Sequence, residues 1–299
     1  MPDALAGHPG GAGIAWLGTA PTMSRQEPPR ANEDEEPTVW TVLPTYNERG
    51  NLATLVPALL ALRPDLAVVV VDDGSPDGTG EAAARLARET RRVHLLQRGA
   101  RLGYSSAVRQ GLRYALDHGA ALLLQADADW SHHPKYVPEL LRLVESECEV
   151  AIGSRYVEGG GTRNWALSRR LLSRGANLLV RWALRLPTRD CTGGFRCYRR
   201  AVVEQSGLLD INTEGYAFLL ATIQAIHRDG WRVREVPIVF VDRQFGSSKL
   251  SKWIILEAAL VVSKLALRRF GVLGKREARS PERRVTHGPD EPTLSRRRP

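Results

Sequence analysis

Cysteine is almost missing from this chain: Cys148, Cys191 and Cys197 are the only three in 299 residues. Three thiols cannot build a disulfide framework, and their spacing does not match a zinc ribbon. Buried, reduced thiols in a cytosolic protein are the expectation. Long apolar runs are missing too. The best, Trp253 to Phe270, is broken by Glu257, Lys264, Arg268 and Arg269, whereas a span needs roughly 20 mainly apolar residues. The first residues hold no basic stretch followed by an apolar core, so no signal peptide is expected. The net charge is +9, and nearly all the basic residues are Arg. That balance points to anionic partners such as phosphates or lipid headgroups. No nucleic-acid recognition motif accompanies it, and the Arg-rich tail is its plainest source, so no nucleic-acid partner is expected.

What is present reads as one large domain between two irregular ends. Residues 1–36 are rich in Gly, Pro and Ala, then acidic, and are expected to be disordered. Residues 37–252 carry the regular pattern. Residues 253–272 read as an amphipathic interfacial helix, and residues 273–299 as a basic disordered tail. Within the domain, "TVWTVLPTYN", "LAVVVVDDGS", "VHLLQR" and "AALLLQADAD" read as strands. The helical stretches "NLATLVPALLAL", "DGTGEAAARLARET" and "SSAVRQGLRYALDHG" lie between them. Alternating strands and helices predict an α/β fold, a mostly parallel sheet with helices on both faces. Ligands of such sheets bind beyond the carboxyl ends of the strands.

Three polar clusters fall at those ends: "PTYNE" (Pro44 to Glu48), "DDGSPDGT" (Asp72 to Thr79) and "DADWS" (Asp127 to Ser131). Asp72 and Asp73 are candidates for hydrogen bonds to ribose hydroxyls or a base edge. Asp127 and Asp129 would repel unless a cation sat between them. Mg²⁺ or Mn²⁺ held by one or two carboxylates plus substrate phosphates settles that repulsion. His132 and His133 are adjacent on an extended stretch and point in opposite directions, so a structural role outweighs metal ligation. Further on, "EVAIGSR" reads as a strand ending at Arg155, followed by a Gly-rich loop. In the next helix Arg169 and Ser173 share a face that fits a phosphate monoester. Leu171, Leu172, Leu178, Leu179, Trp182 and Leu186 give the region an apolar stripe, either packed in the core or lying on a membrane. "VREVPIVFVDRQFGSSKLS" reads as a strand and then a loop fit to fold over phosphates.

"LPTYNERGNL", "VVDDGSPDGTGEAA", "DADWSHHPKYVPEL", "GSRYVEGGG", "SRRLLSRGANLL", "DCTGGFRCYRR" and "VPIVFVDRQFGSSKLS" occur in that order. The chain resembles the dolichol-phosphate or polyprenol-phosphate mannose synthases over about residues 38 to 265. These are family 2 glycosyltransferases with the GT-A nucleotide-diphospho-sugar transferase fold. The resemblance implies an inverting enzyme. It would move mannose from GDP-mannose to a polyprenyl (dolichyl-type) monophosphate and give a β-linked product. Pro44, Tyr46, Glu48, Val71 and Asp73 match positions that hold the nucleoside. Asp127, Ala128, Asp129 and Ser131 match the nucleotide segment, with Asp127, Asp129 and Ser131 as its metal site. Arg155, Arg243 and Lys249 match contacts to the donor phosphates, and Arg155, Arg169 and Ser173 the acceptor-phosphate site. Asp129, Arg155 and Lys249 are the implied catalytic residues.

Two stretches depart from the family. It commonly has Lys and "GLGTA" where this chain reads "ARLGYSSA" (Ala100 to Ala107), and Gln and Glu where "GYAFLLA" has Leu219 and Ala221. These departures keep two other readings open: a related transferase using UDP-glucose or UDP-N-acetylglucosamine, or a non-catalytic nucleotide-sugar binding subunit. A lipid acceptor also implies peripheral attachment to the cytoplasmic face of a membrane, directly or through an integral-membrane partner protein.

Overall fold

A computed structural model describes residues 36–241. The helix expected at 253–272, the irregular ends and the candidates Arg243 and Lys249 lie outside the described residues. Among the described residues nine strands and seven α-helices follow one another. The first half alternates as expected: β1 (Val39–Thr45), α1 (Arg49–Leu60), β2 (Leu66–Asp72), α2 (Thr79–Glu89), β3 (Val93–Gln97), α3 (Tyr104–Asp117) and β4 (Leu122–Gln125). Then come α4 (Val137–Ser146), β5 (Val150–Ser154), β6 (Gly161–Arg163), α5 (Leu167–Leu184), β7 (Arg196–Arg199), α6 (Arg200–Gln205), α7 (Gly215–Arg228), β8 (Val233–Pro237) and β9 (Val239–Val241).

Seven strands form one sheet in the order β3-β2-β1-β4-β7-β5-β8. All neighbours pair in parallel except β7, which runs antiparallel to both β4 and β5. The parallel expectation therefore holds for the first half, and β7 is a strand that the apolar pattern did not reveal. A second, two-stranded sheet pairs β6 with β9. It lies partly in the Gly-rich loop, and it splits "VREVPIVFV" into two strands. The split falls at Ile238, whose N–H donates to the Ser154 carbonyl of β5 while its own carbonyl accepts from Gly161 N of β6.

Strand alternation fills a core on each side of the sheet. Trp40, Val42, Val69 and Val71 face one side, packed with Val108, Leu112, Val180 and Ile223 of the helices. Val39, Leu43, Val68 and Val70 face the other, with Leu52, Leu55, Leu140 and Val144. Each buried Val or Leu contributes about 1.5–3 kcal/mol relative to exposure. Gly111 lets α3 approach the sheet: a Cβ there would overlap Val42 Cγ1 and come within 3.1 Å of Val71 Cγ2. The layers leave the ends of β1, β2 and β4 open on one edge.

Candidate active site

The loops after β1 and β2 are tied together by main-chain donors. Asn47 N donates to Ser75 Oγ (2.9 Å), Glu48 N to Thr79 Oγ1 (2.9 Å) and Arg49 N to Asp77 Oδ2 (3.2 Å). Asp72 serves the same turn: it is fully buried and accepts from Ser75 N (3.1 Å) and Ser75 Oγ (2.5 Å). Of the aspartate pair, Asp73 alone reaches the cavity. Its carboxylate pairs with the buried Arg98 and accepts from Gly103 N at 3.0 Å. Arg98 in turn donates to Ser106 Oγ and the Gly103 carbonyl.

Beyond β4 the chain turns tightly. Ser131 donates to Asp129 Oδ1 from its N–H (3.1 Å) and its hydroxyl (2.5 Å), which orients that carboxylate. His132 Nδ1 accepts the Asp127 N–H at 2.9 Å, and its ring stacks on Phe195. A nitrogen that accepts there carries no proton, so its 3.8 Å approach to Asp127 Oδ2 is no ion pair. His133 Nδ1 accepts from Lys135 N and caps the turn before α4. Both histidines thus accept from the backbone of this turn, and His132 also lines the cavity. No group of three or more His, Cys, Asp or Glu side chains fit to hold a metal exists among the described residues. Asp127 and Asp129, both on the cavity wall, are a donor set that suits an ion completed by phosphate oxygens.

The cavity has a volume of about 480 Å³ and is walled by all three loops. Pro44, Tyr46, Glu48, Asp73, Asp127, Ala128, Asp129, Arg155 and Arg169 line it, so most of the expected residues converge. Val71, Ser131 and Ser173 do not line it. The Val71 side chain is in the core, and Ser173 Oγ lies 2.6 Å from Tyr156 Oη.

Arg155 has a buried partner that the strand-and-loop pattern did not predict. Its Nε and Nη2 form a two-pronged pair with Asp190 (2.8 and 2.7 Å), and its own N–H also meets Asp190 (2.9 Å). Burial works against both charges, yet their mutual attraction wins: Arg155 is held above its ordinary pKa and Asp190 below its own. Asn177 of α5 accepts from Cys191 N and donates to Thr192 Oγ1, fixing the "TGG" loop to the helix. Arg196 folds that loop from within, donating to the carbonyls of Gly193, Cys191 and Leu219 and to Thr222 Oγ1. Trp165, also unforeseen, carries the Arg169 guanidinium 4.0 Å above its ring. All three cysteines are buried and free.

Residues 40–207 match Glycosyl transferase family 2. The chain belongs to this family. A polyprenol monophosphomannose synthase of Mycolicibacterium smegmatis is 40% identical over 76% of this chain and 86% of its own length. An undecaprenyl-phosphate mannosyltransferase of Micrococcus luteus is 40% identical over 77% and 94%. Among solved structures, a glucosyl-3-phosphoglycerate synthase of Mycobacterium tuberculosis aligns with a TM-score of 0.56 at 18% identity, covering 79% of this chain and 80% of the other. A mannosyltransferase of Pyrobaculum calidifontis with GDP-Man and Mn²⁺ aligns at 0.50 and 20%, covering 81% and 66%. These likenesses show the fold, the GT-A arrangement expected. In this glycosyl transferase family 2 chain, both departures from the mannose synthase pattern reach the cavity: Arg101, Gly103, Tyr104 and Ala107 line it from one, Leu219 from the other.

Proposed function

We propose that this glycosyltransferase moves mannose from GDP-mannose to a polyprenyl monophosphate, with inversion. The nucleoside would lie along Pro44, Tyr46, Glu48 and Asp73, and the diphosphate beside Asp127 and Asp129. Mg²⁺ or Mn²⁺ held by those two carboxylates would offset the charge of the leaving diphosphate. Ser131 holds the Asp129 carboxylate in place. The acceptor phosphate, with a second pKa of about 6, is mostly ionised at neutral pH and needs no general base. Arg169, with Ser173 one turn further on, would draw it in. Arg155 arrives already neutralised by Asp190, so in this reading it shapes the wall rather than supplying net charge. Arg243 and Lys249 remain proposed phosphate contacts.

The observation that carries the reading is that Arg169 of the cavity wall sits on α5, a helix with an exposed apolar face that has no partner among the described residues. Leu167, Leu171, Leu178 and Trp182 project from one side at 69%, 62%, 65% and 78% exposure. The inward residues are instead Asn177, Val180 and Leu184. Arg170, Arg174 and Arg181 edge the apolar arc. Such a face suits a bilayer interface, where a lipid phosphate would meet Arg169. No helix among the described residues is long and apolar enough to cross a membrane. Attachment would be peripheral, on the cytoplasmic side, directly or through an integral-membrane partner.

The test is transfer of label from GDP-mannose, beside UDP-glucose and UDP-N-acetylglucosamine, to a polyprenyl phosphate with Mg²⁺ or Mn²⁺. Metal-dependent mannose transfer that disappears in Asp129→Ala is expected. Transfer only from a UDP-sugar, or equal transfer by the variant, would overturn the assignment.

A further inference from the structure

Tyr104, the first residue of α3, sits where the mannose synthases resembled here commonly have an apolar residue, and its hydroxyl ends a short chain of hydrogen bonds. The chain begins at Tyr198, fully buried behind the cavity. Its hydroxyl donates to Gln125 Oε1 at 3.1 Å. That fixes the Gln125 amide, whose Nε2 donates to Tyr104 Oη at 2.9 Å. With its oxygen accepting from Gln125, Tyr104 cannot return a proton to that amide. Its O–H is left to donate elsewhere.

The place it serves is the cavity, which Tyr104 lines. A Cβ at Gly194 would come 2.7 Å from Tyr104 Oη and 3.8 Å from Asp127 Oδ1, so the phenol and that carboxylate meet at the same glycine.

We propose that the Tyr104 hydroxyl donates a hydrogen bond to an oxygen of the sugar–diphosphate half of the donor, and that Tyr198 and Gln125 are positioning residues that hold its proton toward the cavity. The inference rests on the donor-site reading above. It makes Tyr104 a specificity residue that replaces a contact the departures would otherwise remove.

Calorimetric affinities for GDP and GDP-mannose with Mn²⁺, and KM and kcat for transfer, are compared between wild type and Tyr104→Phe. The expected result is a roughly tenfold loss of GDP-mannose affinity, carried in KM with kcat nearly unchanged. A loss confined to GDP-mannose assigns the bond to the sugar; an equal loss with GDP assigns it to the diphosphate. Unchanged affinities in a variant that melts like wild type overturn the proposal while leaving the transfer reading intact. A wild type that binds neither nucleotide overturns both. Should Tyr104→Phe melt far below wild type, Tyr198→Phe carries the same test. It keeps the Tyr104 ring but frees Gln125 to flip and capture the proton, so it must also weaken GDP-mannose binding, and no loss refutes the relay.

Discussion

Replacing Asp190 with Ala tests the electrostatic frame of the site most directly. Asp190 is fully buried and accepts three hydrogen bonds from Arg155, one of them from its main chain. Removing one partner of such a pair leaves a charge stranded in low dielectric, which costs about 3–5 kcal/mol. For a domain of this size that lowers Tm by roughly 6–20 °C. Replacing both partners, as in Asp190→Leu with Arg155→Met, removes the stranded charge and is expected to recover most of the loss. Urea melts of Asp190→Leu, Arg155→Met and the pair give the coupling energy. The native pair also has a pH signature. Arg155 outweighs burial and holds the Asp190 pKa below its ordinary value. Its stabilisation is therefore complete above the unfolded carboxylate pKa of about 3.9 and is lost only as pH falls through the lower folded value. An Asp190→Ala loss under about 1 kcal/mol, or a double variant no better than the single, would refute the reasoning.

Three further outcomes follow from particular contacts. Gly111→Ala ought to gain up to about 1 kcal/mol by helix propensity alone, but its Cβ meets Val42 and Val71; overpacking costs about 1–3 kcal/mol, so urea melts are expected to show a net loss, and a gain would mean α3 can lift off the sheet. Burial, helped by His118 for His94 and by Arg196 for His227, lowers both histidine pKa values; the unfolded chain then binds more protons, so stability is level above about pH 6.5 and falls as pH drops through the folded values. Denaturation midpoints that rise between pH 6.5 and 5 would contradict this. Leu178→Glu with Trp182→Glu is expected to abolish sedimentation with anionic vesicles while changing Tm little, because both side chains are exposed; unchanged sedimentation would exclude α5 as the docking face.

The first half of the fold was legible because both its signals are local. A β-branched run such as Val68 to Val71 reads as a doubly buried strand, and the polar residues after β1, β2 and β4 mark the ligand edge. The second half was less so. β7 is four residues, Arg196 to Arg199, too short and too charged to carry an apolar strand pattern, and the structure shows Arg196 satisfying loop carbonyls inside the core. Asp190 gave no sign of its tie to Arg155, since the pairing joins residues 35 apart. The apolar residues of α5 were visible, but a helical wheel cannot say whether a stripe faces protein or lipid. Asn177, polar and yet buried, is what fixes the inward face.

The charges on the cavity wall bear on how a donor enters. Among the described lining residues, Glu48, Asp73, Asp127 and Asp129 stand against Arg101, Arg155 and Arg169. Arg155 is already matched by Asp190, and Asp73 by Arg98. Arg101 lies over the Tyr46 ring and Arg169 over Trp165. Arg101 and Arg169 thus lie against the aromatic walls, while the carboxylates of Asp127 and Asp129 stand beyond the end of β4. A diphosphate brought beside two carboxylates sets like charge against like charge, which a divalent cation between them offsets. On the proposed reading the donor therefore enters as its metal complex, and GDP without a divalent ion is expected to bind at least tenfold more weakly, a difference of about 1.4 kcal/mol. Calorimetry with and without Mn²⁺ measures it. Equal affinity would mean that the arginines suffice and that the paired aspartates do something other than hold a cation.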